Sequence, residues 1–294
     1  MHQTWQQIKI QFETFAKQYI NAQAIPSARL KQAMVYSFLG GGKRIRALFC
    51  YISGACFGTS LENQHLSAVA VEAIHAYSLI HDDLPAMDDA SLRRGNPACH
   101  IQFDEATAIL AGDALQSLAF QALSQTSNIT VVQLKKVLQL LATHAGSQGM
   151  VAGQQLDIDA ESREVSAINL KQIHSHKTGK MFKAAILLPF YLSPLYSKHE
   201  IFEHLSDFAE NIGLAFQIKD DILDITANTI TLGKNANSDK RSQKATYPVV
   251  VGIEKTTDLL NTLVDNSKKN LSKITNYNTD GLLKIAEYVS QRNY

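Results

Sequence analysis

The sequence predicts an all-α fold, on three observations. Apolar residues recur at three- and four-residue steps along most of the chain, which is the spacing of one helix face. No stretch alternates apolar and polar positions over a run of β-branched residues, and no Asn-Gly or Asp-Gly pair sits between two such runs. The breaks between periodic segments are short and polar, as in "SQTSNIT" (124–130) and "ESREVS" (161–166).

The first element shows the pattern openly. Trp5, Ile8, Phe12, Phe15 and Tyr19 form one apolar stripe. Segments near 28–57, 65–83, 104–123, 131–152, 166–192, 199–225, 247–271 and 279–291 follow the same rule. Together they predict about ten helices. No break has the look of an interdomain linker, so a single domain over 1–294 is expected. One connection is long: "TANTITLGKNANSDKRSQKATYP" (226–248) is polar and carries Lys234, Lys240, Arg241 and Lys244. A loop of this length in a compact domain is functional or disordered. Its basic content suits a lid over something anionic.

Composition removes several classes of function. The 294 residues are 45% hydrophobic and 19% charged, with a formal net charge of +1. No global field draws the chain to nucleic acid or to an anionic membrane. Cys50, Cys56 and Cys99 form no CxxC pair, and so sparse a count suits a reducing compartment. The opening "MHQTWQQIKIQFETFAKQYI" is amphipathic rather than a signal sequence. The oily stretch "AAILLPFYL" (184–192) is too short to span a bilayer. A soluble cytoplasmic protein is the expectation.

The chemistry lies in two acidic clusters that end apolar helices. The first is "DDLPAMD", with Asp82, Asp83 and Asp88; the second is "DDILD", with Asp220, Asp221 and Asp224. On a helix Gln217, Asp220, Asp221 and Asp224 can line one surface. Like charges at that spacing cost a few tenths of a kcal/mol per pair, so they suggest a ligand that relieves them. Carboxylates without His or Cys suit hard cations, Mg2+ foremost. That ion is rarely caged by protein alone and commonly bridges carboxylates to phosphates. His75, Ser78 and Asp82 share a face of the preceding helix. Pro85 should end that helix near Leu84, so Asp88 cannot be placed by helical arithmetic.

Cationic points for phosphates stand nearby in sequence. "GGGKRIR" (40–46) sets Lys43 and Arg46 behind three glycines, among them Gly42. It is not a Walker A loop. Arg93 and Arg94 can each grip an anion with a planar fork. "HSHKTGKMF" (174–182) offers Lys177 and Thr178. The combination points to a deep cavity with an anionic mouth and an oily floor. It implies a substrate with a diphosphate head and a hydrocarbon tail.

These motifs resemble those of the trans-isoprenyl diphosphate synthases. "GGKRIR", "HAYSLIHDD", "LRRG", "ILAGDAL", "GQQLDID", "HKTG", "FQIKDDILD", "TLGK" and "KATYP" match in order from residue 41 to 248, and "YVSQRN" near the end resembles bacterial members. The resemblance implies antiparallel helices around a central cavity, the isoprenoid synthase fold, and a homodimer. It implies condensation of isopentenyl diphosphate with dimethylallyl and then geranyl diphosphate. By resemblance Asp82, Asp88 and Asp220 hold Mg2+, three ions in all with substrate bound. Asp83, Asp221 and Asp224 complete the ligands or orient waters. Arg93, Lys177, Lys234 and Lys244 hold the allylic diphosphate, while Gln217 and Thr178 face the cationic carbon. Gly42, Lys43, Arg46, His75 and Arg94 hold isopentenyl diphosphate. No protein nucleophile is needed. His81 is read as structural.

Product length follows from the same comparison. Helical rise is about 1.5 Å per residue, so Tyr77 and Ser78 lie roughly 6–8 Å below Asp82. An aromatic at that place, with Pro85 and Ala86 as extra residues in the motif, resembles the C15-producing bacterial type. Farnesyl diphosphate is the expected product and C20 geranylgeranyl diphosphate the alternative. Ala47 replaces a proline usual in the family, and Ala90 and Ser91 replace acids. A terpene cyclase would carry an Asn/Ser/Glu motif in place of "DDILD". A non-catalytic subunit would lack acids from one motif.

Overall fold

The computed structural model describes residues 4–161, 163–231 and 246–292, and helix dominates them. The chain divides into two compact units. The first comprises Met1–Gln139 and Leu188–Tyr196. It contains α1 (Trp5–Asn21), α2 (Ala28–Phe38), α3 (Ile45–Phe57), α4 (Leu61–Asp82), the strands β1 (Leu92–Arg93) and β2 (Asn96–Pro97), α5 (Cys99–Gln102) and α6 (Glu105–Ser124). The start of α7 (Val131–Ala145) also belongs to it. The second unit comprises Leu140–Leu187 and Ser197–Tyr294. It holds α8 (Met150–Ala160), α9 (Ala167–His174), a π-helical turn Ser175–Gly179, most of α10 (Lys180–Tyr191), and α11 (His199–Thr231). It ends with α12 (Tyr247–Val251), α13 (Ile253–Ser272) and α14 (Asp280–Gln291).

Helix starts follow local chemistry. Thr4 and Gln7 form a reciprocal capping box on α1, and Ser27, Ser60, Asp104 and Ser166 cap α2, α4, α6 and α9 with side-chain oxygens. The core of the first unit gathers Phe12, Phe38, Phe49, Ile74 and Leu115, all fully buried. That of the second gathers Phe182, Phe208, Ile212 and Ile285. α4 is buried along most of its length, from Leu66 to Ile80, so its C-terminal end is held firmly.

The periodic segments break at points that sequence spacing did not resolve. The run over 28–57 is two helices, because Gly41, Gly42 and Arg44 take φ of 82°, 108° and 54°. A right-handed helix cannot pass through such residues. The run over 131–152 divides between α7 and α8. The run over 166–192 stays helical but widens into the π-turn. Between α4 and α5 lies a hairpin that the sequence reading missed: β1 pairs antiparallel with β2. Arg94 and Gly95 form its turn with φ of 54° and 79°. Positive φ at both central residues is the requirement of a type I′ turn, met here by Arg-Gly instead of the commoner Asn-Gly.

Candidate active site

In the first unit the chain folds back as soon as α4 ends. α4 stops at Asp82, two residues before the position expected from Pro85. The N–H of Asp88 donates to the carbonyl of Asp82 at 2.8 Å, and that of Ala90 to Asp83 O at 3.1 Å. Asp88 therefore returns beside Asp82 in the backbone, although five residues stand between them. Asp82 is half-buried and Asp88 is exposed.

Asp83 has a different environment. It is 2% exposed. Arg93 Nε donates to both its oxygens, at 3.0 and 3.1 Å, and Arg93 Nη2 also donates to Oδ1. A bidentate guanidinium leaves little of this carboxylate open. Asp83 was expected to complete the metal ligands or orient waters, and Arg93 to hold the allylic diphosphate; here the two side chains hold each other.

Arg94, at the hairpin tip, donates through Nη1 to the carbonyl of Gly41. A Cβ on Gly42 would lie 2.8 Å from Arg94 Cζ, so only glycine admits the guanidinium there. Lys43 is exposed and Arg46 half-buried at the start of α3. Burial, and then the charges of Arg46, Arg94, Arg44 and Arg93, hold His75 well below the usual imidazole range. Four guanidinium groups thus bear on one neutral ring, a field that favours an anion. A cavity of about 300 Å³ adjoins Arg93 and Arg94, with Leu39, Leu79 and Asp83 also in its wall.

Tyr77 is 6% exposed, with its ring 5.7 Å from that of His81. Ser78 turns its hydroxyl to the carbonyl of His75 at 3.0 Å. His81 Nε2 faces Ile109 O at 3.1 Å, and its ring fills the space above Gly112, where a Cβ would meet it at 2.1 Å. His81 therefore packs α4 against α6.

The second unit builds its site around the π-turn. Lys177 Nζ meets Asp157 Oδ2 at 2.6 Å, and Thr178 Oγ1 donates to Gln217 Oε1 at 2.9 Å. Gly153 on α8 lets the turn approach: a Cβ there would lie 2.0 Å from Lys177 N. Asp220 pairs with Arg292 Nη2 at 2.7 Å. The same arginine donates to Phe216 O at 2.7 Å and stands 3.7 Å over the Phe216 ring. Asp221 is 4% exposed. Its Oδ2 accepts from His174 Nε2 at 2.9 Å and from the Tyr247 N–H at 3.0 Å. Asp224 lies at the surface of α11; the part of its carboxyl shielded from water, and then the charge of Asp221, raise its pKa, Arg292 opposing. The surface expected from helical spacing is thus divided: Gln217 and Asp221 turn to the π-turn region, Asp220 to the C-terminal arginine. Lys234 and Lys244, with residues 232–245 of the expected lid, lie outside the described residues.

Among the described residues no three His, Cys, Asp or Glu side chains gather closely enough to hold a metal by themselves. The less buried carboxylates, Asp82, Asp88, Asp220 and Asp224, are hard oxygen donors and fit Mg2+, which completes its shell with water and phosphate. The sequence reading assigned no role to Arg44, Glu72, Asp157, His174 or Arg292. Asp157, His174 and Arg292 lie in or beside the matched motifs, but nothing in spacing showed their partners.

The family described as polyprenyl synthetase matches residues 27–279. The chain is 44% identical over 287 residues to a farnesyl diphosphate synthase of Haemophilus influenzae, covering 98% of this chain and 97% of that one. It is similar to the structure of a geranyltransferase from Legionella pneumophila, with a TM-score of 0.87 and 31% identity over 98% and 96% of the two chains. A geranyltransferase from Helicobacter pylori, complexed with magnesium and isoprenyl diphosphate, aligns with a TM-score of 0.81 and 29% identity over 97% and 94%.

Proposed function

The chain belongs to the polyprenyl synthetase family, and from that premise we propose that it is a Mg2+-dependent prenyltransferase whose product is farnesyl diphosphate. The observation that carries this reading is the 44% identity to a farnesyl diphosphate synthase over nearly the whole of both chains. One family match runs through both compact units, which supports a single functional domain.

The reaction needs three things of the protein. The allylic C–O bond breaks and its electron pair leaves on diphosphate. The double bond of isopentenyl diphosphate then attacks the allylic carbon, and a proton is lost to the departing diphosphate. Bound Mg2+ supplies neutralisation of the charge that grows on the leaving group. Asp82, Asp88, Asp220 and Asp224 are the carboxylates assigned to hold it, as the less buried oxygen donors of the two acidic motifs. Arg93 and Lys177 are assigned to the allylic diphosphate, each exchanging a carboxylate, Asp83 or Asp157, for a phosphate oxygen. Thr178 and Gln217 place oxygen dipoles for the cationic carbon. Lys43, Arg46, His75 and Arg94 are assigned to isopentenyl diphosphate, with Gly42 allowing close backbone approach. Tyr77, buried beside His81, is assigned as the floor that stops growth at C15.

No helix among the described residues is long and apolar enough to cross a membrane, which agrees with a cytoplasmic enzyme. A homodimer is part of the same reading, and sedimentation would check it. The decisive assay mixes the purified chain with isopentenyl and dimethylallyl diphosphates and Mg2+. C15 product is expected. C20 product would favour the geranylgeranyl alternative, and absence of any prenyl product would end the reading.

A further inference from the structure

Two hydrogen bonds in the second unit form a ladder. His174 meets Asp221 at 2.9 Å, and Thr178 meets Gln217 at 2.9 Å. The members are four residues apart on each side, and they run in opposite directions. One side is the end of α9 with the π-turn; the other is α11. Four residues is about one helical turn, so each pair shares a face. The two rungs therefore set the register of the turn against the helix. Lys177 sits on one rail and Asp220 and Asp224 on the other.

His174 and Asp221 are built as an anchor. Both are buried, at 9% and 4% exposed. The Asp221 Oδ2 that receives His174 also receives the Tyr247 N–H at 3.0 Å. An ionised carboxylate only accepts, so His174 Nε2 carries the donated hydrogen. The His174 ring also lies 5.5 Å from that of Tyr247. A carboxylate so enclosed is poorly placed to reach a cation. Backbone fit reinforces the register: a Cβ on Gly213 would lie 3.0 Å from Gly179 Cα, so α11 and the π-turn are already in contact.

We propose that His174 is a positioning residue, and that Asp221 is its anchor within the acidic motif rather than a metal ligand. Through this rung the helix that carries Asp220 and Asp224 is held at a fixed register to Lys177, so that carboxylates and ammonium address one diphosphate together. The inference rests on the functional reading given above and deepens it. It predicts that losing the rung weakens metal-diphosphate binding without comparable loss at the isopentenyl subsite, whose assigned residues all belong to the first unit.

The test uses the full chain and His174→Asn and His174→Gln. Glutamine can present an N–H near the Nε2 position, whereas asparagine is too short. Calorimetric titration with inorganic pyrophosphate in Mg2+ reads binding without turnover. For His174→Asn we expect at least tenfold weaker binding and a raised KM for the allylic substrate, with the KM for isopentenyl diphosphate within about threefold. His174→Gln should recover most of the binding. Three results overturn the proposal: unchanged pyrophosphate affinity in His174→Asn, equal rises in both KM values, or equal loss in Asn and Gln variants. Equal unfolding of both variants also overturns it, because the residue then serves folding alone. If the parent chain binds no pyrophosphate with Mg2+, the functional reading itself fails, and the proposal falls with it.

Discussion

Arg44 stands in the basic run "GGGKRIR" between two residues assigned to phosphate, yet it points inward. Its left-handed backbone, at φ 54°, turns the side chain to Glu72 at 3.3 Å and to the carbonyl of Phe38 at 2.9 Å. Both charged side chains are only 2% exposed. Removing one partner of such a buried pair typically costs about 3–5 kcal/mol. Glu72 also accepts the N–H of Ala47 at 3.1 Å, which gives meaning to the departure from the family's proline. Ala47→Pro should lower stability by about 1–3 kcal/mol, the usual cost of a buried acceptor left short. Chemical denaturation would show it. His144 makes a pH-dependent prediction. Burial pulls its pKa down to about 4, with Lys180 and Lys183 acting in the same sense and the carbonyl of Leu140 opposing. The folded state thus favours the neutral ring. Its contribution is complete above pH 6.5 and is lost as pH falls toward 4, amounting to roughly 3 kcal/mol at most. His144→Gln should flatten the melting temperature across that window. Tyr77→Ala should pass growing chains beyond C15, read by product chromatography. A product that remains wholly C15 would remove Tyr77 from the floor.

Elements show the same dependence on close approach. The π-turn Ser175–Gly179 brings Lys177 and Thr178 to different helices, Asp157 on α8 and Gln217 on α11. Extra residues inserted into a helix in this way commonly mark functional sites. α8 can abut the turn only because residue 153 has no side chain. Gly153→Ala would drive a Cβ to 2.0 Å from a backbone nitrogen, which no rotamer change can relieve. Overpacking of this sort costs about 1–3 kcal/mol or more. The variant should melt early, and the Lys177–Asp157 pair at 2.6 Å should be disturbed first. The hairpin β1–β2 is a second case. Its Arg94-Gly95 turn carries the guanidinium to Gly41 and Gly42, so two glycine-containing segments far apart in sequence make one surface.

For the molecule as a whole, three ion pairs hold side chains that the proposed function assigns to charged ligands. Arg93 rests on Asp83, Lys177 on Asp157 and Arg292 on Asp220. Adding Mg2+ with pyrophosphate should raise the melting temperature by several degrees, because ligand at a hundred times its Kd stabilises by about 2.7 kcal/mol. EDTA should reverse the shift. Neither Mg2+ nor pyrophosphate alone should match the pair. Helix content, most helix positions and the order of the acidic and basic motifs were legible in the sequence, because periodicity, capping residues and motif spacing are local properties of the chain. The family was legible for the same reason, since its motifs are contiguous. Breaks at positive-φ residues, the Arg-Gly hairpin and the inward turn of Arg44 were not, because spacing does not report backbone handedness. Nor could it tell which acids are buried. Asp82 and Asp83 are neighbours, as are Asp220 and Asp221, yet one of each pair is buried against a partner ten or more residues away. The chain by itself determined which charges the protein owns. Only the tertiary structure decided which of them are already paired, because pairing depends on distances between residues that sequence separates.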